Sequence, residues 1–368
     1  MIKILDEHKA LGHPLATASL LNNLKLLWQS RGVRIAFWPR AMKIFLFNFA
    51  LLPFRRYEIA KWRRKVEDTS IKRPPLFILG HWRCGTTFLH NLFALDPRFG
   101  YVSTLQAFSP ELCIEWPHLL WPIFRMLLPR KRPMDNMDMS LQLPQEEEYA
   151  LANMGAISFY LGYYFPQKMK SIFHRLLFLD ALQEMMNHWQ RTYLLILKKA
   201  TLVFKGNPLV IKNPLNMIRI PILLNMFPGA KFVHIYRNPY RVYYSTFHTF
   251  KTMTHSFGLQ RISDSELEEN TLYFYAVMME RYWQDSRLIP SGNLCEVKFE
   301  AFERDPAGEI ERIYAELQLP SFAEVESRLL RYLKSQQNYR KNIYAMNEKT
   351  NQKILERWGA IIERLGYE

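Results

Sequence analysis

The most reactive-looking stretch of the sequence is LFILGHWRCGTTFLH, Leu76 to His90, in which Gly80 and Gly85 bound a short loop. An apolar run enters the loop, and Gly85-Thr86-Thr87 open a second apolar run with helical spacing. A strand–loop–helix of this kind grips an anion, because unpaired backbone N–H groups and the positive end of the helix dipole point at the same spot. The spacing from Gly80 to Gly85 matches the nucleotide-binding P-loop, but Thr86 stands where that loop has its lysine, and the cation lies within the loop as Arg83. Without the lysine, a grip on the β- and γ-phosphates of a nucleoside triphosphate is not expected. A second window, KFVHIYRNPYRVYYSTF, delivers Arg237 at the end of an apolar run, places Asn238-Pro239 as a helix start and Ser245 eight residues on. Eight residues are about two helical turns, so the hydroxyl falls on the face that looks back toward Arg237, and the pair can hold a second phosphate.

The elements that must position these groups are legible in outline. LFIL (76–79), PLVIK (208–212), KFVHIY (231–236) and LCEVKF (294–299) read as buried strands. Helical stretches lie between them, over 87–95, 173–199, 216–226 and 268–288. Strands separated by helices predict an α/β fold with a central parallel sheet of P-loop type. Residues 1–72 read as an N-terminal helical region packed on an α/β domain over 73–368, which carries a helical insertion at about 105–200, rich in Met, Trp and Tyr. Across 368 residues, 49% are hydrophobic and 23% charged, the balance of a folded globular protein rather than a disordered or fibrous one. The three cysteines form no CxxC pair, so neither a zinc ribbon nor a disulfide framework is expected, and a reducing cytoplasm is the natural compartment. The N-terminus lacks the design of a secretory signal, and no run reaches the length of uncharged residues that a membrane span needs. The nearest is Ile44–Phe54, flanked by Arg40, Lys43, Arg55 and Arg56; an amphipathic helix packed on the main domain is expected there, with peripheral membrane contact as the alternative.

Together the two anion-binding windows resemble the PAPS-dependent sulfotransferases, in particular their mostly bacterial branch. In that family a [K/R]SGTT signature holds the 5′-phosphosulfate of 3′-phosphoadenosine-5′-phosphosulfate (PAPS), and an arginine and serine eight apart hold its 3′-phosphate. Here the first is Arg83-Cys84-Gly85-Thr86-Thr87 and the second is Arg237 with Ser245. VKFEAFERDPAGEIERIYAEL (297–317) resembles the family's late strand and helix, and the likeness runs from about residue 74 to 320. The resemblance implies that Arg83 contacts the phosphosulfate, that Gly85, Thr86, Thr87 and Phe88 bind it through backbone amides, and that Arg237 and Ser245 bind the 3′-phosphate. It further implies that Lys212 binds the bridging oxygen, that PAP is the product, and that no metal takes part. Arg340 and Lys341 are candidates for a late phosphate contact, although the family's basic-glycine pattern is absent there. Phe299 stands where relatives often place an aromatic near adenine, but an apolar strand residue is expected to be core. Cys84 replaces the motif serine; it is expected to be a small inert thiol, a helix N-terminus and Arg83 being the features that would instead favour a thiolate.

The base is not carried over. Pro214 occupies the place of the histidine used by cytosolic relatives, and Ser103 and Thr104 that of the glutamate used by protein-tyrosine relatives. In PQEEEY, Glu146 and Glu148 lie on nearby faces of a first helical turn, and one of them, facing inward, is the favoured base, with a solvated helix start as the alternative. His81, beside Arg83, is the rival, since histidine ordinarily titrates in the useful range, and His90 reads as a buried partner. The net charge of +15 fits a multiply anionic donor and, equally, an acidic membrane; no nucleic-acid module is present. An aromatic content of 14% leans toward a lipophilic acceptor, sterol or lipid alcohol ahead of saccharide. Two other classes remain open at this level: an ATP-dependent kinase or NTPase, and a basic membrane-surface binding protein. The oligomeric state is not legible.

Overall fold

The computed structural model describes residues 12–29, 32–127, 131–132, 134–135, 137–337, 342 and 344–368. Four strands form one parallel sheet: β1 (Leu76–Leu79), β2 (Val210–Lys212), β3 (Lys231–Tyr236) and β4 (Leu294–Lys298), in the spatial order β2-β1-β3-β4. All four residues of β1 are buried, as expected of an apolar run covered on both faces. Its register aligns Leu76 with Val210 on one side and with Lys231 on the other. Because the chain passes from β2 to β3 across β1, the connections diverge at the carboxyl end of β1, where open α/β sheets build ligand sites.

The chain divides into two compact units. One, Arg73–Gly100 with Pro208–Thr249 and Ser265–Glu368, contains the whole sheet. Its core joins strand residues Ile78, Val233 and Val297 to Leu89, Phe93 and Ile313 of flanking helices. Phe93 stacks on Tyr314 with ring centroids 5.7 Å apart. The other comprises the described residues of Met1–Lys72 with Tyr101–Asn207 and Phe250–Asp264, so the N-terminal helices and the middle segment share one unit. A core cluster there unites Leu51, Leu105, Leu112, Phe124 and Leu141.

Several element boundaries differ from the periodicity. The stretch 173–199 is two helices, Met169–Leu177 and Gln183–Val203, separated by a 3₁₀ turn at Leu179–Ala181, where the Asp180 carboxylate accepts from the Ala181 N–H instead of leaving it to a helix. The stretch 216–226 splits likewise. Asn213 Oδ1 accepts from the Leu215 N–H and caps a turn at Pro214–Ile218, before Pro221 sets the start of the helix Ile220–Met226. Phe299 leaves the last strand and opens a helix, Phe299–Arg304. The apolar run Ile44–Phe54 is only the middle of a helix from Trp38 to Glu67, which passes through Pro53. Among the described residues this helix, with the turn preceding it, is long and apolar enough to cross a membrane by length and composition, which the run-length reading had missed by stopping at the flanking cations.

Candidate active site

β1 runs into Gly80, and the helix Thr86–Phe93 starts after Gly85. Both glycines are required by space. A Cβ on Gly80 would lie 2.5 Å from the Ile235 carbonyl oxygen, and one on Gly85, at φ +95°, would lie 2.4 Å from the Phe299 ring. Between them Arg83 is held at φ 72°, a left-handed conformation that costs a non-glycine residue about 1–2 kcal/mol. Its Nε donates to Ser245 Oγ at 2.8 Å. Arg237 Nη1 donates to the carbonyl of Arg83 at 3.3 Å. The two anion-binding windows, 154 residues apart between Arg83 and Arg237, are thus joined directly.

A third cation closes the group. Lys212, the last residue of β2, is 1% exposed and donates from Nζ to Thr87 Oγ1 at 3.3 Å. The sheet order therefore gathers one cation from the carboxyl end of each of three neighbouring strands, β2, β1 and β3. Arg237 has no carboxylate at ion-pair distance among the described residues; its guanidinium lies 4.2 Å from the centroid of the Phe299 ring. Burial lowers its pKa, while the nearby Cys84, Glu303 and Glu300 act the other way and Arg83 adds to the lowering. Cations gathered in this way, with no carboxylate paired to Arg237 among the described residues, are the kind of group that attracts an anion. Phe299 is a core residue as expected, and it also supports this arginine.

The remaining candidates fare differently. Thr86 is buried at the helix start, and Phe88 packs on Phe302. Cys84 is buried, and burial pushes its thiol up to about 12, outweighing the pull of Arg237; the thiolate that its position invited does not form near neutrality. Burial holds Cys113 and Cys295 at about 12 as well. Native protein treated with iodoacetamide at pH 8 is therefore expected to stay unlabelled by mass spectrometry, with all three cysteines labelling after denaturation. Rapid native labelling at Cys84 would contradict the burial.

His81 is 1% exposed, its ring packed edge-on against Trp82 and Tyr275. Its Nδ1 donates to the Trp82 carbonyl at 3.1 Å, and burial drops its pKa to about 3. The useful titration range expected of it is lost: it is neutral and a weak base throughout the physiological range. His90 is the buried partner that its position suggested, with Nε2 donating to the Val210 carbonyl at 3.1 Å.

The acidic run belongs to the other unit and is not a solvated helix start. Glu146 is 7% exposed and Glu147 and Glu148 are 0% exposed, with Glu148 opening the helix Glu148–Asn153. Glu148 Oε1 accepts from the Phe159 N–H at 2.8 Å, and its carbonyl accepts from Ser158 Oγ at 2.9 Å. Arg340 and Lys341 lie outside the described residues. Sequence reasoning missed Tyr344, whose hydroxyl accepts from Ser245 Oγ at 3.5 Å and from Asn342 Nδ2 at 3.2 Å. It also missed Glu300, which accepts from the Asn238 N–H at 3.1 Å and from the Tyr367 hydroxyl at 2.5 Å. The signal for Tyr344 was an aromatic among polar residues late in the chain, and Glu300 had none beyond its place after Phe299.

Residues 74–324 match the model of a sulfotransferase family. The ω-hydroxy-β-dihydromenaquinone-9 sulfotransferases Stf3 of Mycobacterium bovis and Mycobacterium tuberculosis are each 33% identical over 307 residues, covering 83% of this chain and 78% of theirs. Among solved structures, the sulfotransferase STF9 of Mycobacterium avium superposes with a TM-score of 0.68 at 18% identity, over 85% of this chain and 82% of that one. The sulfotransferase STF1 of Mycobacterium tuberculosis superposes with a TM-score of 0.66 at 16% identity, over 98% and 99%. At those identities the superpositions speak for the fold, and the family match with the 33% relatives speaks for the lineage. With its phosphate loop, parallel sheet and gathered cations, this chain belongs to the sulfotransferase family.

Proposed function

We propose that the protein transfers the sulfuryl group of PAPS to the hydroxyl of a lipophilic alcohol. The observation that carries this reading is the junction of the two windows, Arg83 to Ser245 at 2.8 Å and Arg237 to the Arg83 carbonyl at 3.3 Å. One doubly phosphorylated adenosine can then engage both. The donor supplies the activated sulfuryl group; the residues position and neutralise it. The amides of Gly85, Thr86, Thr87 and Phe88 receive the 5′-phosphate, with Arg83 and Lys212 countering the charge that grows on its bridging oxygen as the S–O bond breaks. Arg237 and Ser245 take the 3′-phosphate, and Tyr344 orients the serine. The acceptor oxygen forms the new S–O bond as the bond from sulfur to the bridging oxygen breaks, and its proton passes to a general base.

The lipophilic class is supported by the names of the 33% identical relatives, which act on an ω-hydroxylated dihydromenaquinone. Transfer of radiolabel from PAPS to a panel of long-chain and polyprenyl alcohols, against sugars, tests the acceptor; label in sugars alone would reverse the class. For the donor, calorimetry should show PAP binding far more tightly than AMP. Arg237→Ala is expected to erase most of that preference, about 10–150-fold, since a charge-assisted hydrogen bond is worth roughly 1.5–3 kcal/mol. Unchanged discrimination between PAP and AMP would remove Arg237 from the 3′-phosphate site.

A further inference from the structure

On the helix Trp38–Glu67 the face turned into its unit mixes the apolar Ala41, Ile44 and Leu51 with Asn48, Arg55 and Glu58, which are 0%, 3% and 0% exposed. Trp38, Met42, Leu46 and Phe49, spaced three or four residues apart and so on one side, are exposed, the last two at 67% each. Leu21, Leu24 and Trp28 form a second exposed apolar row on the helix Leu20–Gln29, which is tied to the long helix by a hydrogen bond from Asn23 Nδ2 to Asn48 Oδ1 at 3.0 Å. A folded protein rarely leaves so contiguous an apolar surface in water without an occupant.

The surrounding charge names that occupant. From residue 12 to residue 66 the sequence has one acid, the buried Glu58, whereas Lys25, Arg34, Lys43, Arg56, Arg64 and Lys65 are exposed. A second copy of this chain would bring like charges together. An anionic lipid surface satisfies both features, apolar side chains entering the acyl boundary and cations meeting the headgroups. Crossing the bilayer is excluded by what the opposite face holds. Asn48 Nδ2 donates to the carbonyls of Leu15, Ala16 and Ile44 at 3.0, 2.7 and 2.9 Å. Arg55 pairs with Glu111 at 3.0 Å, and the Glu58 carboxylate accepts from the amides of Cys113, Ile114 and Glu115. Pulling the helix out would orphan all of these groups in hydrocarbon.

We infer that the Trp38–Phe49 face is an interfacial membrane-docking surface, on which the helix lies in the plane of an anionic leaflet. The inference stands on this surface alone and not on the donor site. The test is sedimentation of the full chain with vesicles of equimolar phosphatidylglycerol and phosphatidylcholine, against phosphatidylcholine alone, at low and high salt. Binding is expected to the anionic vesicles, to weaken with salt as screening shortens to a few Å, and to fall about a hundredfold in the L46E/F49E double variant, which removes two apolar side chains from the boundary. Its thermal midpoint and PAP affinity should match the parent, which separates this result from the fate of the donor reading. The inference is overturned if the parent ignores anionic vesicles or if the double variant binds them equally well. It is overturned too if the parent is a dimer that the double variant dissolves, because the face is then an interface between copies.

Discussion

Lys212→Met is expected to lower kcat by about 10²–10³-fold, the loss that follows removal of one preorganised donor from a site of developing charge. The ammonium is 1% exposed and held by Thr87 Oγ1 at 3.3 Å, so it is aimed before the reaction begins and spends little on reorganisation. Its value is greatest where water is excluded, because a charge at the bridging oxygen grows only as the S–O bond breaks. Methionine keeps the length and volume of the side chain, and replacing a buried cation with an apolar group of similar shape is often neutral to folding. Single-turnover rates with saturating PAPS therefore read the chemical step, and a thermal melt checks that the fold is intact. A variant that turns over at the parent rate would take Lys212 out of the transition state.

Glu148→Ala is expected to lower stability by about 1–3 kcal/mol, because it leaves the buried Phe159 N–H without the carboxylate oxygen that accepts from it at 2.8 Å. Glu148 is 0% exposed and opens the helix Glu148–Asn153, so water does not replace the lost acceptor. Denaturant unfolding reads the change, and a variant as stable as the parent would show that the amide finds another partner.

Much of this was legible along the chain. LFIL and KFVHIY are apolar over strand length and bounded by turn residues, the signature of strands covered on both faces, whereas Leu294–Lys298, at the sheet edge, alternates buried with more exposed residues and is not the fully buried strand expected. The breaks near 178–182 and 219 were not legible, because Asp180 and Asn213 cap turns with side-chain oxygens that periodicity does not register. The loop glycines could be read because chain reversal into a helix demands them, whereas the reason Gly85 must be bare, the Phe299 ring, comes from a residue far along the chain.

By itself, then, the order of residues determined the β1 and β3 strands and the glycine-bounded loop after β1, since each depends on spacing within one strand and the helix after it. Only the tertiary structure decided the surroundings of the candidate groups. Local sequence left His81 free to titrate near neutrality, set an inert thiol against a thiolate at Cys84, and left Glu146–Glu148 either solvated or turned inward. Desolvation by residues from distant segments made the first neutral, the second inert and the third a buried cluster. Burial is a property of everything that packs around a group, and no window of neighbours along the chain contains it.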